Sequence, residues 1–311
     1  MTVSASRPPH LVSGLILASA GSIAFSGKAI IVKLAYRHGV DAVTLIMYRM
    51  LFALPMFLAL AWWATCRQGG APRAPLTRRD GLGILGLGLT GYYLASFLDF
   101  WGLSYISASL ERLILYLNPT LVLLLGWLLY GRRISAMQAL AMAVSYGGVL
   151  LVFGHEADFA GRGAALGAVL VFLSAISYAI YLVYSGEMVR RLGAMRLVGL
   201  ATSVACLLCL AQFALLRPFS AAQVAPEVIW LSLLNATACT FAPVIMVMMA
   251  IERIGAGLAA QTGMIGPMAT ITMGVLILGE PFTGWIVAGT VLVVSGVFLV
   301  TRYGHAPAPG K

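Results

Sequence analysis

Apolar residues come in ten long runs, near residues 11–36, 42–64, 81–103, 106–130, 134–154, 163–185, 195–217, 228–251, 256–278 and 282–302, separated by short polar stretches. A helix needs about 20 predominantly apolar residues to cross a bilayer, so the pattern predicts ten membrane-spanning helices and an all-α integral membrane protein. The first run follows Arg7 and contains Ala18-Ser19-Ala20, which looks like a leader-peptide cleavage site. The apolar stretch continues to about Ala35, too long for the core of a leader, and reads as the first helix.

Composition agrees: 61% of the 311 residues are hydrophobic and only 10% charged, against about 25% charged in an ordinary soluble domain. No length remains for a large extramembrane catalytic module. Orientation follows from the Arg and Lys residues in alternate connections. One side collects thirteen: Arg7, Arg67, Arg73, Arg78, Arg79, Arg132, Arg133, Arg190, Arg191, Arg196, Arg253, Arg302 and Lys311; the other has three, Arg37, Arg162 and Arg217. This imbalance puts both termini in the cytoplasm and makes the net charge of +10 topological, with no nucleic-acid partner. Trp62, Trp63, Trp127, Trp230 and Trp285 fall at run ends, where the ring anchors at the headgroups.

The chemistry this chain can carry is narrow. His10, His38, His155 and His305 all lie in termini or breaks, so no imidazole cluster exists for a metal or a shared base, and no cofactor is expected. An intramembrane enzyme would lack its usual base. Cys206 and Cys209 form a CxxC without the strand–helix context of a redox motif, and read as core filler. Gly86 to Gly91 matches GxGxxG inside a helix, Gly163 and Gly167 make a GxxxG, and both read as close helix packing. The Asn235-Ala236-Thr237 sequon is buried in the eighth run.

An offset of 148 residues aligns Ile106 with Ile254, Ala108 with Ala256, Leu110 with Leu258, Pro119 with Pro267, Gly126 with Gly274, Gly131 with Gly279 and Gly148 with Gly296. The chain divides into two five-helix units, 1–155 and 156–311. Five is odd, so the second unit enters from the opposite side and the repeats are inverted, an arrangement of secondary transporters that alternate access.

The segments Ile106-Ser107-Ala108-Ser109 to Asn118-Pro119-Thr120 and Gly279-Glu280-Pro281, with Arg49 and Gly296, resemble the EamA-type ten-helix exporters of the drug/metabolite transporter superfamily. Arg132 stands where the first repeat of that family commonly has an acidic residue matching Glu280. The resemblance implies a bacterial inner-membrane exporter, of amino acids or another metabolite class such as nucleotide sugars, sugar phosphates or drugs.

The repeat register locates the candidate site. Tyr92 pairs with Thr240, and Asn118-Pro119 with Gly266-Pro267, each about halfway along its run; Pro243 adds a third kink. Proline removes a helical hydrogen bond, and the freed carbonyls are tolerated beside protein or a wet cavity. Polar stripes reach the same depth: Ser19, Ser22 and Ser26; Tyr92, Ser96 and Asp99; Ser174, Tyr178, Tyr181 and Ser185; Thr262 and Thr270. Tyr92, Tyr93, Tyr178 and Tyr181 are candidates to pack an amino-acid side chain. Of the intramembrane charges, Lys33 can snorkel, while Lys28, Arg49, Asp99, Glu111 and Arg112 need partners or water. Lys28 or Arg49 is expected to pair with Asp99 or Glu111, and Glu111, seven residues before Asn118 and so on its face, is the candidate proton carrier. The expected partners are a small-molecule substrate, the bilayer and protons, for a carrier acting as a monomer.

Overall fold

The computed structural model describes residues 11–66, 76–131, 133–160 and 162–303. The termini, and with them Arg7, His10, His305 and Lys311, lie outside the described residues, as do Arg67, Arg73 and Arg132. Every described element is helical. The ten apolar helices are α1 (Leu11–Tyr36), α2 (Ala42–Cys66), α3 (Arg78–Leu103), α4 (Ala108–Tyr130), α5 (Ala136–Glu156), α6 (Gly163–Gly186), α7 (Ala194–Leu216), α8 (Pro226–Gly255), α9 (Gly263–Leu278) and α10 (Gly284–Thr301). All but α9 are long and apolar enough to cross a bilayer, and helical residues 256–262 beyond a break at Gly255 extend α9 toward that length. The protein is an all-α, multi-pass membrane protein.

Helix starts follow local rules. Thr77 and Asp80 form a reciprocal capping box at α3, and Ser135 with Gln138 forms another at α5, each satisfying amides that the first turn leaves open. Thr283, 148 residues after Ser135, caps α10 through the Ile286 amide. The units match in less regular features too: a π-helical segment interrupts α3 at Leu89–Leu94 and α8 at Thr237–Phe241. Helices α4 and α9 are each broken before a proline. Gly131 and Gly279, at φ 61° and 73°, end the two broken helices.

Packing obeys a two-fold exchange of the units. The closest helix pairs are α5 with α10, α2 with α7, α1 with α8 and α3 with α6. Swapping residues 1–155 for 156–311 maps the first two pairs onto themselves and the last two onto each other. The core between α2 and α7 includes Leu45, Met50, Phe57, Cys206 and Cys209. Cys206 Sγ lies 3.6 Å from Met50 Sδ, so the CxxC is packing. The GxGxxG is packing as well: a Cβ at Gly88 would sit 2.7 Å from the Ala201 carbonyl oxygen of α7.

Candidate functional site

The backbone breaks come first, because they decide what polar groups sit at mid-depth. The first segment of α4 ends at Leu115 and a new one starts at Asn118, with Pro119 in its first turn. Asn118 donates to the freed Leu115 carbonyl at 2.7 Å. In α9 a 3₁₀ turn at Gly263–Ile265 precedes a restart at Gly266-Pro267. The Gly263 carbonyl accepts from Ser22 at 2.8 Å and from Tyr116 at 2.9 Å; the Gly266 carbonyl accepts from Ser26 at 2.9 Å. The serine stripe of α1 therefore satisfies the broken backbone of α9. Pro243 lies in the first turn after the π segment of α8.

Beside this junction lies a cavity of about 570 Å³ between α1, α3, α4, α6, α7, α8 and α9. Tyr92, Tyr178 and Tyr181 form its aromatic wall: Tyr92 and Tyr181 meet edge to face at 5.2 Å with hydroxyls 3.3 Å apart, and Tyr178 stacks on Tyr181 at 5.5 Å. Ser22 and Phe25 of α1 face them. The cavity runs on to Val189, Ala194 and Ala259, on the face that carries the α6–α7 and α8–α9 connections.

Arg112 reaches this cavity from α4. Its Nη2 donates to Ser26 Oγ at 2.9 Å, and its guanidinium lies over the Phe25 ring at 5.4 Å. Gly266 is what admits it, since a Cβ there would fall 3.0 Å from both Arg112 Nη2 and Ser22 Oγ. Sequence reasoning counted Arg112 among the embedded charges but did not place it in the site. The signal was available as a count: three deep cations, Lys28, Arg49 and Arg112, against two carboxylates.

The other residues expected at the site scatter around it. Tyr93 packs on the α2–α7 core, Ser96 is half-buried outside the lining, and Thr262 bonds back to the Leu258 carbonyl. Thr240 accepts from Arg49 Nε at 3.1 Å, within the π segment of α8. Asn118 lines a separate groove of about 180 Å³ with Pro119, Met264, Val297 and Thr301. Glu111 meets Lys28 in the buried charge layer, whereas Asn118, beyond the break at Tyr116–Leu117, lines that groove.

The deep charges form a layer beyond the cavity. Lys28 Nζ lies 2.5 Å from Asp99 Oδ2 and 3.4 Å from Glu111 Oε1, with all three side chains buried. Arg49 pairs with neither carboxylate; its guanidinium stacks over Phe100 at 5.0 Å. On the far side a second cavity of about 1100 Å³ is lined by Lys33, Tyr36, Phe97, Trp101, Ser107 and Glu280, among others. On α1, Lys28 separates Phe25 of one cavity from Lys33 of the other, and on α3 Asp99 lies well beyond Tyr92, among residues of the second. The triad thus lies between the two cavities.

Glu280 has a distinct role. Its carboxylate accepts from the Ala108 and Ser109 amides at 2.7 and 3.3 Å, while Glu156 accepts from the Ser107 amide at 2.6 Å. Two carboxylates so hold the N-terminus of α4, where the helix dipole favours negative charge. At the same face Asp41 meets Arg217 at 3.0 Å. Partial burial pushes the Asp41 carboxyl up, but hydrogen bonds from Thr44 and Arg217 outweigh it and hold it below its ordinary value.

The EamA-like transporter family profile matches residues 12–154 and 165–302, once in each half. The chain is 30% identical over 283 residues to the uncharacterized transporter YcbK of Bacillus subtilis (strain 168), covering 88% of each. It is 26% identical over 206 residues to the uncharacterized transporter YvbV of the same organism, covering 66% of this chain and 67% of that one. A solved crystal structure aligns over 95% of this chain and 99% of its own at a TM-score of 0.62 and 17% identity, a likeness of fold.

Proposed function

We propose a cargo and a cycle for this chain, which belongs to the EamA-like transporter family and is a multi-pass membrane transporter. It exports small metabolites, foremost amino acids with neutral or aromatic side chains, across a bacterial inner membrane by alternating access. The observation that carries this reading is the cavity where Arg112 faces Tyr92, Tyr178 and Tyr181. A guanidinium matches a carboxylate through paired N–H donors. Aromatic walls suit an apolar body of a few ångströms, and about 570 Å³ is in the range of small-molecule sites.

The arginine imbalance of the connections assigns the termini to the cytoplasm, so the cavity opens inward and the Lys28–Asp99–Glu111 triad closes the outer side. Glu111 carries the coupling proton, and the carrier works as a monomer. Counterflow into proteoliposomes over a broad metabolite panel tests the cargo. Uptake of at least one neutral amino acid is expected, and movement of sugars or nucleotides alone overturns the reading. Cysteine labelling in a Cys-free background tests the sidedness. An external C-terminus sinks the inward assignment.

A further inference from the structure

Among the described residues lining the central cavity, Arg112 alone carries a formal charge. It is 7% exposed, and its Nε has no hydrogen-bond partner although Nη2 is held by Ser26. Burying a cation with an open donor is costly unless something else completes it. The protein's own carboxylates do not: Asp99 and Glu111 meet Lys28 in the layer beyond. Arg112 is therefore a deep cation in the cavity wall, anchored there through Nη2 on Ser26.

The same lining says what the partner lacks. A zwitterionic cargo would bring an ammonium as well as a carboxylate, and among the described residues no carboxylate lines the cavity to receive it. The remaining polar lining is neutral: Ser22, Ser185, three tyrosine hydroxyls and the Gly263 carbonyl, which already accepts from Ser22 and Tyr116. A monoanion meets the Arg112 charge directly, whereas an ammonium adds a buried charge with only neutral dipoles around it. Around the guanidinium the walls are apolar or aromatic, with Phe25 stacked against it.

We propose that this cavity is a receptor for organic monocarboxylates: Arg112 takes the carboxylate, Phe25 and the tyrosines take an apolar or aromatic body, and an α-amino group is dispensable. This rests on the cargo reading above, since amino acids enter it as one kind of carboxylate.

The test uses three related probes on the full-length protein in lipid nanodiscs, with binding followed by calorimetry: 3-phenylpropionate, phenylalanine and phenylalaninamide. Phenylpropionate should bind at least as tightly as phenylalanine, and the amide at least about tenfold more weakly, as the loss of one charged hydrogen-bonded contact implies. Arg112→Gln should weaken both acids roughly ten- to a hundredfold without weakening the amide, whose ammonium loses a like-charged neighbour, while Arg112→Lys should keep the preference for the acids. Equal binding of amide and acid overturns the proposal. Binding of phenylalanine without phenylpropionate also overturns it, and leaves the amino-acid reading standing. If no probe binds while a sugar or nucleotide moves in counterflow, the cargo reading itself falls. Should Arg112→Gln not fold, the three-probe series on the unaltered protein decides alone.

Discussion

Removing Lys28 should cost more than removing the whole charge layer it belongs to. Its ammonium lies 2.5 Å from Asp99 and 3.4 Å from Glu111, and the three side chains are 8%, 3% and 0% exposed. At an effective dielectric near 20 each attraction is worth about 4 kcal/mol or more before desolvation. Desolvation of the ions and repulsion between the carboxylates absorb much of that gain. Lys28→Met leaves two buried carboxylates without their cation, a loss of about 3–5 kcal/mol. The triple variant Lys28→Met, Asp99→Asn, Glu111→Gln leaves no buried carboxylate without its cation, but it also removes both carboxylates that oppose the deep cations Arg49 and Arg112, and it should unfold between the single variant and the parent. In thermal unfolding of the detergent-solubilised protein, Lys28→Met should lower the midpoint by roughly 5–15 °C, with the triple variant between the single variant and the parent. If Lys28→Met unfolds within about 2 °C of the parent, or if the triple variant falls as far as the single one, the triad does not hold these helices together.

Four further outcomes follow from the geometry. Gly266→Leu should insert normally in the membrane and lose transport, because its side chain would enter the space of Arg112 and Ser22, 3.0 Å from the Cβ position; transport at the parental rate places the site elsewhere. Glu111→Gln should abolish pH-driven efflux and leave cargo exchange measurable, whereas an unchanged pH dependence removes Glu111 from coupling. Glu280→Gln should destabilise by about 1 kcal/mol through a weakened hold on the start of α4, read as a lower unfolding midpoint. Asp41, held below its ordinary value by Thr44 and Arg217, stabilises the fold at neutral pH, and that contribution is lost as the pH falls through its lowered value; Asp41→Asn should flatten that acid limb of the stability profile.

The ten helices were legible because spanning segments are written as uninterrupted apolar length. The depth of the breaks at Pro119 and Pro267 was legible too, since proline removes a hydrogen bond wherever it stands. The π segments at Tyr92 and Thr240 were not: they carry no residue that demands them, and show only in where each carbonyl points. The side chains around the cavity were partly hidden for a related reason. Helical spacing places side chains most simply along an unbroken helix, and α4 is broken between Glu111 and Asn118. Arg112 reaches the cavity because Gly266, on another helix, leaves room for it.

The backbone is symmetric and the charge is not. Lys28, Arg49, Asp99, Glu111 and Arg112 all belong to the first unit, and 148 residues on stand Ile176, Leu197, Val247, Ala259 and Ala260. Val247 and Ala259 line the cavity on the side opposite the triad. When the two units exchange conformations in the proposed cycle, the face closed by ions opens, and the face now open closes on these apolar residues. One closure is ionic and the other dry. An ionisable residue in the dry closure should therefore hold the protein in its present state: Val247→Lys keeps its ammonium in the wet cavity while that side is open, but closure would bury it with no carboxylate at hand, at a cost of several kcal/mol. In a Cys-free background, a cysteine at Leu182 in the cavity wall should stay reactive toward a membrane-impermeant thiol reagent at saturating cargo in Val247→Lys, and lose reactivity in the parent. Transport should fall at least tenfold in Val247→Lys and survive in Val247→Leu. Parental transport by Val247→Lys, with the Leu182 cysteine still protected by cargo, would mean that the second closure is not made by these residues.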